Sequence, residues 1–126
     1  MIKLIKNLYE LLRHKHSREW RLIKREFRFY WQRKRMGYDV SDTWALFLTI
    51  SEFVLPRLRT FKELTLHSYP GRDEVDTSEK WDEILDKMIL AFESIIINEE
   101  RGDWDNMQEI EEGLDLFRKY FFDLWV

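Results

Sequence analysis

Three histidines, His14, His16 and His67, are the only side chains whose ordinary pKa lies near neutrality, and the 126-residue chain has no cysteine. His14 and His16 sit in a basic run and read as solvated. His67 follows Glu63 by four residues, the spacing of a hydrogen bond along one helix face, but no serine signature accompanies the pair. It reads as a loop-anchoring or surface histidine. The glycines at 37, 71, 102 and 113 are too scattered for a phosphate-cradling loop or a dinucleotide fingerprint, and G-x-S-x-G is absent. A bundle that holds two metal ions needs inward carboxylates and Glu-x-x-His pairs, and that tetrapeptide occurs nowhere. Asp82, Asp86 and Glu93 share a helix face opposite the apolar one, which reads as solvated surface. The expectation is a protein that is not an enzyme and carries no cofactor or metal.

Two constellations are suited to binding instead. Arg18, Arg21, Arg25, Arg28 and Arg35 fall three, four, three and seven residues apart. At about 100° per residue they draw a guanidinium stripe along one helix, the geometry that grips successive phosphates and makes affinity salt-dependent. Arg57, Arg59, Lys62, His67, Tyr69 and Arg72 cluster around a proline and a Pro-Gly loop. There a small anionic ligand could stack a base on Tyr69 while arginine takes the charge. Leu22 with Phe29, and Leu90 with Ile97, are each a heptad apart on the side away from the main apolar stripes, and are the expected faces of a homo-oligomer.

The elements that must position these groups are helical. Apolar residues recur at helical spacing, with none of the alternation or Gly-rich turns of a sheet. The prediction is an all-α, compact bundle of about four to six helices. A first helix at about 2–13 carries Ile5, Leu8 and Leu12 on one side. A second runs from a Ser17 cap to about Arg35, exits at Gly37 and buries Trp20, Ile23, Phe27, Tyr30 and Trp31. Asp42 is the expected cap of a third helix, apolar nearly all round and hence central, kinked or broken at Pro56. After the loop 67–74, Asp76 with Glu79 marks the start of a strongly amphipathic helix at 78–98. Asp103 is the expected cap of a last helix whose stripe is Met107, Ile110, Leu114, Phe117, Phe121 and Leu124. Gly113 flanks that stripe, where close approach of a neighbouring backbone explains it.

Charge divides the chain at Gly37. Residues 1–36 hold twelve Lys/Arg against three Asp/Glu, and residues 37–126 hold nine against twenty-one. A basic amphipathic helical segment, 1–36, thus precedes an acidic helical core, 37–126, the two expected to form one domain. The basic part suits an anionic partner, unless it is neutralised by the acidic part. No apolar run approaches the roughly 18 residues of a membrane span.

From Tyr38 onward the chain resembles a family of small bacteriophage-encoded helical proteins of unassigned function. The resemblance rests on Asp42-Thr43-Trp44, Leu55-Pro56-Arg57-Leu58 with Phe61-Lys62, the Tyr69-Pro70-Gly71 loop, the run from Trp81 to Ile89 with Ala91-Phe92-Glu93, and Gly113-Leu114-Asp115-Leu116-Phe117 with Lys119-Tyr120-Phe121 and Leu124-Trp125. It implies a viral protein working in the host cytoplasm. With no catalytic group in sight, the expected role is a binding protein of counter-defence type that sequesters or blocks a host protein or an anionic nucleotide signal. Nucleic-acid binding through residues 18–35 and a structural, virion-associated role are the alternatives.

Overall fold

The computed structural model describes residues 1–13 and 18–126, so the expected Ser17 cap and the histidines His14 and His16 lie outside the described residues. Five α-helices and two short 3₁₀ turns make up an all-α architecture, with no strand among the described residues. The chain divides into two compact units, Met1–Ala45 and Leu46–Val126. The charge boundary at Gly37 falls inside the first.

The first unit contains α1 (Ile2–Arg13), α2 (Arg18–Met36) and a 3₁₀ turn, Val40–Thr43. Helix α2 ends at Gly37, whose φ of 81° is the left-handed conformation that only glycine adopts without strain, and whose N–H donates to the Arg33 carbonyl at 2.9 Å. The chain then folds back. Asp39 caps the turn by accepting from the Ser41 N–H at 2.8 Å, and the Asp42 carboxylate accepts from the Asp39 N–H at 3.1 Å. Asp42 therefore closes a capping box on this turn, inside the 3₁₀ element and ahead of Leu46, the first residue of the third helix.

The second unit is built on α4 (Ser78–Arg101), which packs between α3 (Leu46–Leu64) and α5 (Met107–Lys119). Trp81, Leu85, Met88, Phe92 and Ile95, alternately four and three residues apart, are buried together with Leu55 and Leu58 of α3, Val75, Ile110 of α5, and Tyr120. Ala91, Ser94 and Asn98 are buried as well, so α4 is covered on two sides. The expectation that the proline-bearing helix is central is corrected: only one side of α3 is covered, while Leu46, Phe47, Ile50 and Phe53 stay exposed. Helix α3 runs through Pro56 without a break.

Three further boundaries differ from expectation. Thr77, not Asp76, caps α4, accepting from the Lys80 N–H at 3.2 Å, while Asp76 pairs with the Lys80 ammonium at 2.7 Å. Asn106 rather than Asp103 occupies the cap position of α5. That helix stops at Lys119 and passes into a 3₁₀ turn at Phe121–Asp123, so its apolar stripe ends early and Phe121 is exposed. Gly113 does sit at a close helix crossing: a Cβ there would collide with the Ala91 Cβ and the Lys87 carbonyl oxygen.

Candidate nucleic-acid interface

Helix α2 carries eight Lys/Arg against two glutamates over nineteen residues, interleaved with five aromatic residues. Within its own unit it buries one side. Phe29 is 4% exposed and meets the Trp44 ring edge-on at 5.8 Å. On that same side Gln32 accepts from the Val40 N–H at 2.9 Å and Arg33 donates to Asp39 at 2.6 Å, tying the turn to the helix. The Ser41 hydrogen bonds and the Arg33 guanidinium together hold the Asp39 carboxyl below its ordinary pKa, against the opposing effect of burial.

This arrangement corrects two expectations. The stripe expected to be buried is largely in solvent: Ile23 is exposed, as are Phe27, Tyr30 and Trp31 at 63%, 46% and 50%. Phe29, expected on an open oligomer ridge with Leu22, is instead packed inside the unit. The cause is a shortage of partners, because α1 and one 3₁₀ turn cannot cover a nineteen-residue helix all round. Leu22 and Leu90 remain exposed and Ile97 is half-buried.

The exposed rings form a connected row. Phe27 and Trp31 are 6.3 Å apart by centroid, and Tyr30 meets Trp31 edge-on at 5.8 Å. Cations lie beside it: the Lys34 ammonium is 5.3 Å from the Tyr30 ring, and a shallow depression is lined by Arg28, Trp31, Gln32, Arg35 and Met36. Among the described residues Arg18, Arg21, Arg28 and Arg35 make no ion pair, whereas Arg25 contacts Glu26 at 3.5 Å. The Arg25 and Arg28 guanidinium groups flank the Phe29 ring at 5.8 and 5.7 Å. Sequence reasoning found the arginine stripe but assigned its aromatic neighbours to a core. The missed signal was the lack of any second helix in residues 1–36 long enough to cover them.

Most cations of the second predicted group have partners within the chain. Arg57 lies over the Phe53 ring at 3.6 Å and donates to the Phe53 carbonyl. Arg59 pairs with Glu93 at 3.2 Å and Lys62 with Asp86 at 2.5 Å, so the acidic face of α4, expected to be merely solvated, holds two of the three cations of α3. The Asp86 hydrogen bond raises the Lys62 pKa. Arg72 binds Asp123 through Nε at 2.7 Å, Asp73 at 2.9 Å and the Lys119 carbonyl at 2.8 Å. His67 lies past the end of α3 with φ at 69°, off the helical register that would align it with Glu63. Tyr69 lines a concavity whose charged wall residue is Asp123, opposite in sign to the expected cation.

Among the described residues no group of three or more His, Asp or Glu is placed to hold a metal ion, and no helix is long and apolar enough to cross a membrane. No family model matches the chain, and no curated protein or solved structure matches it.

Proposed function

We propose that this chain is a non-enzymatic binding protein whose contact surface is α2 and whose partner is single-stranded nucleic acid. The supporting observation is the exposed row of Phe27, Tyr30 and Trp31 on the helix that carries Arg18, Arg21, Arg28 and Arg35, which make no ion pair among the described residues. Cations that track a phosphate backbone, next to rings on which bases stack, are the two components of sequence-tolerant single-strand binding. Elsewhere in the chain Arg59, Lys62, Arg72, Lys80 and Lys87 are each held by a carboxylate. In the bacteriophage setting implied by the resemblance, the protein would act by occupying its partner.

The test is fluorescence anisotropy with labelled oligo(dT) and oligo(U) across a salt series. Affinity should fall steeply with salt, and replacing Arg21, Arg25 and Arg28 by Ala should flatten the log–log slope by about 2, at roughly 0.7 per lost phosphate contact. Trp31→Ala should weaken binding by about tenfold, since stacking contributes about 1–3 kcal/mol per base. Salt-independent binding would reject this function.

An exposed row on α3, Leu46, Ile50 and Phe53, supports a second reading, in which the chain self-associates or blocks a host protein. Ile50→Glu with Phe53→Glu should then abolish any oligomer seen by sedimentation.

A further inference from the structure

We infer that the second unit carries a binding site for an alkylated ammonium group, in the concavity between the end of α3, the loop after it and the C-terminal segment. The concavity is about 550 Å³, within the range of small-molecule sites. Its walls include Phe61, Tyr69, Trp81 and Trp125, four aromatic residues brought together from three stretches of chain. Trp81 is buried and fixed edge-on against Tyr120 at 5.6 Å, whereas Tyr69 and Trp125 are exposed and form the outer walls.

The polar groups on the wall set the sign of the ligand. Thr65 and Ser68 direct their hydroxyl protons into the backbone, to the Phe61 and Thr65 carbonyls, both at 2.9 Å, which leaves oxygen lone pairs as what they offer. Asp123 contributes a carboxylate whose side chain is only 17% exposed. Arg72 engages Asp123 through Oδ2, and no described hydrogen bond reaches Oδ1. Arg72 is also paired with Asp73, and its guanidinium and the Lys119 ammonium both lie against the Tyr120 ring, away from the concavity's walls. Aromatic faces with a carboxylate and oxygen acceptors match an organic cation, whose charge is attracted by ring quadrupoles and whose methyl groups gain from apolar walls. An anion would meet acceptors.

The experiment uses the full chain and choline chloride, followed by isothermal calorimetry and by broadening of the choline methyl resonance. Its neutral isostere, 3,3-dimethylbutan-1-ol, isolates the contribution of charge. Choline should bind saturably in the millimolar range or tighter, about tenfold more tightly than the isostere. Trp125→Ala and Tyr69→Ala, both at exposed positions, should each lose about tenfold with an unchanged circular dichroism spectrum, and Trp125→Phe should recover much of the loss. Asp123→Asn should reduce the preference for choline over the isostere. Three parallel titrations separate the sources of such a group: free choline, a trimethyllysine peptide and phosphatidylcholine vesicles. Equal affinity for choline and the isostere, full binding by Trp125→Ala, or no saturation by any of the three would overturn the assignment. None of these readouts involves α2, so they stand or fall independently of nucleic-acid binding.

Discussion

Gly113→Ala adds one methyl group at the crossing of α4 and α5. That carbon would collide with the Ala91 Cβ and the Lys87 carbonyl oxygen, with the Lys87 carbonyl carbon at 3.2 Å. Two of these are backbone atoms in the middle of a helix and the third is a Cβ, so none can swing aside. Helix α5 must move off α4, loosening Ile110, buried on the same helix. Overpacking of this kind costs about 1–3 kcal/mol, and the added displacement places this site at or above the top of that range. Alanine regains about 1 kcal/mol in helix propensity over glycine. A net loss of about 2 kcal/mol should lower the melting temperature by roughly 8–16 °C, at about 4–8 °C per kcal/mol in a unit of this size. Scanning calorimetry of the full chain, with near-ultraviolet circular dichroism to follow the Trp81–Tyr120 contact, reads the change. A Gly113→Ala protein as stable as the parent, or more so, would refute the close crossing.

Two other outcomes follow from the caps. Thr77→Ala removes the acceptor for the Lys80 N–H and should destabilise the second unit by about 1 kcal/mol, measured by urea denaturation, with little effect from Asp76→Ala. Because the Asp39 pKa is lower folded than unfolded, its stabilisation is complete above the ordinary carboxylate range near pH 4 and is lost as pH falls through the folded value. The Ser41 amide resonance should therefore titrate with a midpoint below that of an ordinary aspartate, and Asp39→Asn should abolish that titration.

The helix inventory was legible because periodicity and turn residues are local signals. The amphipathic helix at 78–98, now α4, and the close approach at Gly113 were both readable from local pattern. Caps were less so, since Asp42, Asp76 and Asp103 are chemically able to cap, yet Asp42 serves the 3₁₀ turn that Asp39 caps, Thr77 caps α4, and Asn106 holds the cap position of α5 without a side-chain hydrogen bond. Which side of a helix is covered depends on how many neighbours exist. For that reason Phe29 and the row Phe27, Tyr30 and Trp31 exchanged their expected roles. The pairing of Lys62 with Asp86 and Arg59 with Glu93 spans 24 and 34 residues, beyond the reach of any local pattern. The aromatic concavity likewise draws on residues from Phe61 to Trp125 and leaves no contiguous motif.

Pro56 lies inside α3 and has no amide hydrogen, so the Glu52 carbonyl has no i+4 donor and the ladder of the helix is interrupted at one rung. Side chains packed inward flank that rung on both sides: Ser51, Val54 and Leu55 before it, Leu58 and Phe61 beyond it. The missing backbone bond is therefore bridged by packing against α4. In deuterium exchange the amides of Leu55 and Leu58 should be protected alike, making α3 a helix that opens as one element despite its proline.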